Sequence, residues 1–268
     1  MKRCYVRGIG LWTPGSPDAA SWCSADPDPE VEKPLAPLLS GSLRRRATWL
    51  TRIAIDAMGQ ASEQAGCDPV HTPSVWATAH GEHSTAIAIL AMMHRGEGKL
   101  SPTAFHNSVH NSASGYASIA AGNTAPSTTL TGGSELVASS FLEAQCLLEA
   151  GGRDVLLVLA DEPLQSPFER SGSHNALALA FCLSHDAGGA LATLSGLRRA
   201  EVAPAKRHER FGSLYVSAAL PLLERIVLGR PGTVALEFEA DASGPVACVD
   251  LEIPDSIESS GHARPLEG

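Results

Sequence analysis

Basic residues, aromatic residues and long apolar runs are all scarce in this chain. Its 268 residues carry 20 lysines and arginines against 29 aspartates and glutamates, which gives a formal net charge of −9. Because nucleic-acid backbones are bound through clustered cations, this balance argues against a nucleic-acid partner. No apolar stretch approaches the roughly 20 residues that a membrane span requires. We therefore expect a globular protein without a membrane span.

The six cysteines lack the spacings that mark metal or redox sites. No C-x-x-C pair occurs, and no cysteine forms a close ligand set with histidine. Cys146 and Cys182 fall in apolar runs, which predicts buried, reduced thiols. The first residues, MKRCYVRGIGLWTP, contain no apolar region of signal-peptide length. We expect a cytoplasmic protein with no metal and no cofactor.

Strand and helix patterns alternate along the chain, which predicts an α/β fold. Asp154–Ala160 has no polar alternation, as in a strand covered on both faces. Ala47–Gly66 places apolar residues on one helical stripe. The other predicted elements are strands at Cys4–Ile9 and Val75–Ala79, a helix at Ala86–Met93, a pair of strands at Ala176–Leu183 and Gly188–Leu194, and a loop over residues 14–37.

The most informative segment runs from Phe105 to Glu162. In it, β-favouring residues end at a Gly-Gly bend, and Ser134 follows at a predicted helix start with Glu135 in the first turn. The helix closes at Gly151-Gly152 before a buried strand. Serine is a favoured helix N-cap, which is commoner than a catalytic serine, so both interpretations of Ser134 stay open.

The order and spacing of this segment resemble the nucleophile region of ketosynthases. The resemblance lies in the Asn-Ser-x-x-Asn run with small residues over Asn107–Gly115, a Gly-x-x-x-Pro turn, a threonine-rich strand and the turn at Ser134. The Gly-Ile-Gly sequence at residues 8–10 is similar to the family's opening strand. The resemblance implies a thiolase-like α/β fold, layered helix/sheet/helix, corresponding mainly to the N-terminal half of a ketosynthase. Residues 1–195 would form that domain and residues 196–268 a shortened C-terminal extension.

Ser134 stands where a ketosynthase has its catalytic cysteine. Condensation in that family runs through an acyl thioester on a cysteine thiolate, which is far more nucleophilic near neutral pH than an unassisted hydroxyl. The family also uses two histidines from its second half. Here the tail contains His208 and His262, and neither stands in the Gly-Thr-Gly-Thr or Gly-His-x-x-Gly-Ala surroundings of the family histidines. We therefore expect no catalytic residues for condensation.

The chain resembles in particular the short ketosynthase-like chain-length factors of aryl polyene and xanthomonadin-type pigment clusters. This likeness rests on length, on Leu43–Arg46 and on His106–Asn111. It implies pairing with a catalytic ketosynthase, whose acyl tunnel this subunit would help to shape, and only indirect contact with an acyl carrier protein. The tunnel and interface residues that it implies are His80, Phe105, His106, Asn107, Val109, His110, Asn111 and Ser134.

Structural roles compete with these assignments. Val109 could be ordinary core, and His80, His106 and His110 could be hydrogen-bonded structural histidines. Three function classes stay open: a non-catalytic subunit, a serine acyl-transfer or thioesterase-like enzyme in which His106 or His110 activates Ser134, and a structural scaffold dimer. The residues around Ser134 do not match Gly-x-Ser-x-Gly, so we expect no independent enzymatic activity.

Overall fold

The computed structural model describes residues 3–96, 98–151, 153–166, 168, 175–212, 214–238 and 244–254. The strands in these ranges are β1 Cys4–Trp12, β2 Ser74–Ala77, β3 Ser127–Leu130, β4 Asp154–Asp161, β5 Leu177–Ser184, β6 Ala192–Ala200, β7 Gly232–Ala235 and β8 Val246–Glu252. The helices are α1 Ala19–Ser24, α2 Gly41–Arg46, α3 Trp49–Ala65, α4 His83–Arg95, α5 Pro102–His106, α6 Ser112–Ala121, α7 Leu136–Gly151 and α8 Leu220–Val227, with a 3₁₀ helix at Tyr215–Ala219.

The strands form one mixed sheet in the order β3-β2-β4-β5-β1-β6-β8-β7. β2 is parallel to β3 and β4, whereas the remaining neighbours are antiparallel. The predicted α/β class is confirmed. β3, which precedes Ser134, forms one edge of the sheet, and β7 forms the other.

The two strands predicted after residue 175 are present as β5 and β6. β5 and β6 are not neighbours, because β1 lies between them and is antiparallel to both. After β5, the Leu191 N–H donates to the Val6 carbonyl at 2.7 Å, next to the point where β6 begins to pair with β1. β6 also begins at Ala192 instead of Gly188.

Side chains of the central strands alternate between two apolar cores. On β4, Leu157 and Leu159 join the core beneath α7 and α8, whereas Leu156 and Val158 join the core beneath α3. β5 presents Leu177, Leu179, Phe181 and Leu183 to the first core and Ala178, Ala180 and Cys182 to the second. The sheet is therefore covered on both faces, as the unbroken apolar sequence of β4 predicts.

Strand β1 and helix α3 meet with no side chain between them. A Cβ on Gly8 would lie 2.0 Å from the Ala61 carbonyl oxygen, and a Cβ on Gly10 would lie 2.0 Å from the Ala57 carbonyl oxygen. Both distances are far below van der Waals contact. Only glycine therefore fits at these two strand positions.

Helix α3 also supplies hydrogen bonds to the part of β1 that β6 leaves uncovered. β6 pairs with β1 only at Cys4–Val6. Further along, the Ile9 N–H donates to Gln64 Oε1 at 2.8 Å and the Leu11 N–H donates to Gln60 Oε1 at 3.1 Å. Two glutamine side chains thus satisfy strand donors that would otherwise lack a partner.

Several predicted boundaries shift in the structure. The first strand extends to Trp12, and the helix predicted at Ala86–Met93 runs from His83 to Arg95. The predicted loop over residues 14–37 contains α1, which begins in a capping box formed by Asp18 and Ser21. Prolines and aspartates obscured this helix in the sequence pattern, although aspartate is a favoured N-cap.

The prediction that Cys146 is buried is wrong, whereas Cys182 is fully buried as predicted. Helix α7 buries Val137, Phe141 and Ala144, and Cys146 lies off that stripe and is exposed. Residue 146 has apolar neighbours in sequence, but a helix places consecutive residues about 100° apart around its axis, so adjacency does not imply burial.

The last described strands continue the same sheet. The sequence boundary at residue 195 falls inside β6, and β8 and β7 follow β6 in the strand order. Leu222 and Leu223 of α8 are fully buried in the core that also contains α7 residues. His262 and Gly152 lie outside the described residues.

We predict that Gly8→Ala destabilises the fold by about 3 kcal/mol or more, because the new methyl group collides with the α3 backbone. Gly59→Ala is the matched control. Gly59 lies in α3 with open space around a built Cβ, so alanine there should stabilise the helix by about 0.5–1 kcal/mol. Urea unfolding of both variants measures the difference, and similar small changes at the two positions would contradict the close approach.

Candidate functional site

Ser134 lies in the turn between edge strand β3 and helix α7. Gly132 and Gly133 precede it, and the Leu136 N–H donates to the Gly133 carbonyl at 3.1 Å. The Ser134 hydroxyl donates to the Glu135 carboxylate at 3.1 Å. Because α7 begins only at Leu136, the predicted helix start at Ser134 is wrong by two residues.

The described residues do not assemble a serine–histidine pair. No hydrogen bond joins Ser134 to a histidine among them, although a serine nucleophile requires a base within hydrogen-bond reach. The exposed ring of His106 packs edge-to-face on Tyr116, with ring centroids 5.6 Å apart. His110 is also exposed and lies against Gly81.

Asn107 is buried and connects three segments. Its Nδ2 donates to the Arg46 carbonyl at 2.7 Å, and its Oδ1 accepts from the Tyr116 hydroxyl at 3.0 Å. These bonds join the end of α2, the segment before α6 and α6 itself. Asn107 thus fixes the backbone that carries the neighbouring candidate residues.

Other candidate residues of this segment are exposed. Phe105 is 61% exposed and Val109 is 44% exposed, so the alternative that Val109 is ordinary core is wrong. Asn111 is also exposed, and its carbonyl accepts from the Ser114 hydroxyl at 2.9 Å. Ser114 in turn lies 3.2 Å from Thr129 of β3, oxygen to oxygen, and thereby ties α6 to the edge strand.

Asp161, at the end of β4, organises the loop that carries His80. Its carboxylate is fully buried and accepts from the Thr78 hydroxyl at 2.6 Å and from the Ala79 N–H at 2.9 Å. The His80 N–H lies 3.4 Å from the same carboxylate. Burial raises the pKa of Asp161 to about 6, although these hydrogen bonds oppose the shift.

The loop then meets the second candidate segment at Gly81. Gly81 has a φ of +57°, and a Cβ built on it would lie 3.0 Å from the Cα of His110. His80 is half-buried, and its ring stands nearly perpendicular to that of His83 at 6.2 Å between centroids. The fold therefore brings the His80 and His110 segments into contact.

Glu82 ties this loop to helix α3. Its buried Oε1 accepts from the Thr48 hydroxyl at 2.6 Å and from the Thr51 hydroxyl at 2.9 Å. Thr48 is also the N-cap of α3, since its hydroxyl accepts from the Thr51 N–H. Burial raises the pKa of Glu82 to about 7, and the charge of Glu162 adds to the shift.

A small cavity of about 20 Å³ lies between these groups. Its polar lining comes from Thr78, Glu82, His110 and Thr129, and Trp76 contributes to its apolar wall. A cavity needs roughly 10–15 Å³ to hold one water molecule, and such a site also needs polar partners. This pocket therefore has room for a single water and not for an acyl chain.

Sequence reasoning missed Glu82 and Asp161 as structural determinants of the site. A signal was present, because Asp161 ends the apolar strand β4 and Glu82 follows strand β2 after the short loop at residues 78–81. Carboxylates at adjacent strand ends converge at one edge of a parallel sheet, and β2 and β4 are parallel neighbours. Their partners, Thr48 and Thr51 included, could not be identified from spacing alone.

Within the described ranges, no group of three or more histidine, cysteine, aspartate or glutamate side chains could hold a metal ion. Over the same residues, no helix is long and apolar enough to span a membrane.

We predict that Glu82→Gln raises the stability of the chain at pH 8 by about 2–3 kcal/mol and leaves it nearly unchanged at pH 5. A carboxyl whose pKa is raised by folding stabilises the folded state less as pH rises from about 4.5 to about 7. Glutamine removes this penalty while its oxygen retains both threonine bonds.

Urea unfolding across pH 5–8 measures the effect. Glu63→Gln, at an exposed position of α3, is the control and should show no such pH dependence. A Glu82→Gln effect that does not vary with pH would contradict the assignment of the penalty to the Glu82 charge.

Comparison with known proteins identifies the family. The family model described as beta-ketoacyl synthase, N-terminal domain matches residues 19–220, more than half of the chain. No curated protein matches the sequence.

Solved structures show the same fold at low sequence identity. The complex of the ketosynthase ApeO with its chain length factor ApeC from Xenorhabdus doucetiae matches with a TM-score of 0.67 and 19% identity, over 94% of this chain and 100% of that chain. The ishigamide ketosynthase/chain length factor matches with a TM-score of 0.70 and 14% identity, over 94% and 99%. A type II polyketide synthase carrier protein with its hexaketide-bound ketosynthase, AntDE:AntF, matches with a TM-score of 0.67 and 13% identity over the same shares.

The predicted thiolase-like ketosynthase fold is confirmed by these matches, and the chain belongs to the beta-ketoacyl synthase family through its N-terminal domain.

Proposed function

We propose that this protein is a non-catalytic, chain-length-factor-like subunit that pairs with a complete ketosynthase and shapes its acyl tunnel. The observation that carries the proposal is the state of Ser134. A hydroxyl replaces the family's thiol, and it donates to the exposed Glu135 carboxylate and not to a histidine. Without a histidine partner among the described residues, this hydroxyl lacks the usual activation of a serine nucleophile for covalent acyl transfer.

The edge of the sheet supports pairing. β3 has a neighbour on one side only, so its other side presents unpaired backbone groups that can bind a second chain. Helix α6, bonded to β3 through Ser114, carries Ile119, which is 62% exposed. Together with Phe105 and Val109, it gives this edge an apolar surface of the kind that marks protein interfaces.

The contact between the loop at residues 78–82 and the segment at His110 supports a role in shaping the partner's acyl tunnel. Asp161 and Glu82 hold the segment 78–82 from two sides, and Gly81 locks it against His110. Because the cavity behind these loops has room for only one water, a chain that reaches them from a partner must stop there. A rigid end wall of this kind rejects an added two-carbon unit sterically.

The structural neighbours give the proposal its context. The matched chains in the ApeO–ApeC and ishigamide complexes are covered almost in full, so they have about the same extent as this chain. Those proteins are described as ketosynthases with chain length factors. By analogy we assign this chain to aryl polyene-type biosynthesis in the cytoplasm, with an acyl carrier protein delivered to the catalytic partner.

We predict that Ile119→Glu weakens pairing with the catalytic partner ketosynthase by about 30-fold or more. A charge at the centre of an apolar interface costs about 2 kcal/mol or more. Leu228→Glu is the matched control, since Leu228 is 46% exposed and follows α8 near the opposite end of the sheet.

Co-expression followed by size-exclusion chromatography and calorimetry measures the effect. If the wild-type chain forms no complex, or if both variants pair equally well, this edge is not the interface and the scaffold class is favoured.

We predict that Val109→Phe shortens the product of the reconstituted complex and His80→Ala lengthens it. Overpacking a filled cavity costs about 1–3 kcal/mol, enough to shift a product distribution by roughly tenfold. Ser134→Ala should leave both the amount and the length of the product unchanged.

Chromatography with mass spectrometry measures product length, and size exclusion verifies that each variant still pairs. Unchanged lengths in intact complexes would remove these residues from the tunnel. Loss of product in Ser134→Ala, or an acyl adduct on Ser134 of the wild type, would favour the serine-enzyme class.

A further inference from the structure

A second cavity, of about 480 Å³, opens near the opposite edge of the sheet from β3. It lies between residues 202–208, helix α8 and strand β7. Its floor is apolar, because Leu220, Val234 and Ala235 are buried there. The volume falls within the range of about 300–1,000 Å³ that small-molecule sites occupy.

The rim of this cavity is basic, although the chain as a whole is acidic. Lys206, Arg207 and Arg225 line it together with a single carboxylate, that of Glu224. The rim therefore carries a positive excess in a protein whose formal net charge is −9. Clefts lined by charge of one sign concentrate ligands of the opposite sign.

The rim cations are not neutralised by carboxylates. Arg207 stacks on the Phe238 ring, 4.3 Å from its centroid, and donates to the Gly212 carbonyl at 2.8 Å. Arg225 donates to the Pro231 carbonyl at 3.0 Å. Among the described residues, no ion pair within 4.0 Å involves Lys206, Arg207 or Arg225. These neutral partners hold the guanidinium groups in place and leave their charge available.

Two further side chains on the rim, His208 and Glu224, accept hydrogen bonds from neighbouring residues. The backbone N–H of Arg210 donates to His208 Nδ1 at 3.2 Å. The Glu224 carboxylate accepts from Trp22 Nε1 at 2.9 Å. Of the described residues that line the cavity, Glu224 is the only carboxylate, and its negative charge opposes the binding of an anion.

We propose that this cavity binds an amphipathic carboxylate, with an aliphatic chain on the apolar floor and the carboxylate at the basic rim. A purely apolar ligand would leave the rim cations unused. A small inorganic anion would leave the floor in water. The proposal is independent of Ser134 and of the paired edge, which lies at the other end of the sheet.

Three probes separate the contributions of charge and chain. Octanoate, octanol and inorganic phosphate are titrated calorimetrically into the full chain in its monodisperse form, alone or paired. Only octanoate should bind measurably, and its affinity should fall as salt is raised. Equal binding of octanol would show that the rim charge plays no part, equal binding of phosphate would show that the floor plays none, and no binding of octanoate would overturn the proposal.

Variants with opposite expected effects locate the site. Lys206→Gln should weaken octanoate binding by about threefold, the effect of one partly exposed charge. Glu224→Gln should strengthen it by about threefold, because the opposing charge is removed while the side-chain oxygen still accepts from Trp22. Lys99→Gln, at an exposed lysine outside the cavity lining, is the control and should leave the affinity unchanged. Octanoate binding that neither Lys206→Gln nor Glu224→Gln alters would place its site elsewhere and refute the assignment.

Discussion

The backbone contact between β1 and α3 is the constraint on which the rest of this structure depends. Gly8 and Gly10 allow the helix to lie directly on the strand, at a distance that no side chain permits. The N-terminal end of that helix carries Thr48 and Thr51, which bind Glu82. The position of the candidate site therefore follows from a contact in the core.

Two buried carboxylates connect the sheet and helix α3 to the loop at the surface. Asp161 holds the loop that carries His80 from the sheet, and Glu82 holds it from the helix. Burial disfavours the charged form of both groups, so their hydrogen bonds do not recover the full cost of desolvation. A loop fixed at such a cost is suited to present a rigid surface, which a subunit that limits tunnel depth requires.

The two ends of the sheet have different physical characters. At the β3 end, backbone groups are unpaired and the exposed residues Phe105, Val109 and Ile119 are apolar, which favours association with another protein chain. At the β7 end, basic side chains line the rim of a cavity, and their guanidinium groups contact aromatic rings and backbone carbonyl groups. One fold thus separates an exposed apolar surface from a cavity with a basic rim.

The sequence by itself determined the α/β class, the strand covered on both faces at Asp154–Ala160 and the apolar stripe of α3. These features follow from local periodicity and from motif spacing, which are properties of short segments. Tertiary structure alone decided the insertion of β1 between β5 and β6, the exposure of Cys146, the bond between Glu82 and Thr48, and the basic cavity. Each of these depends on residues that are distant in the chain, and periodicity shows which face of an element is buried without showing which partner covers it.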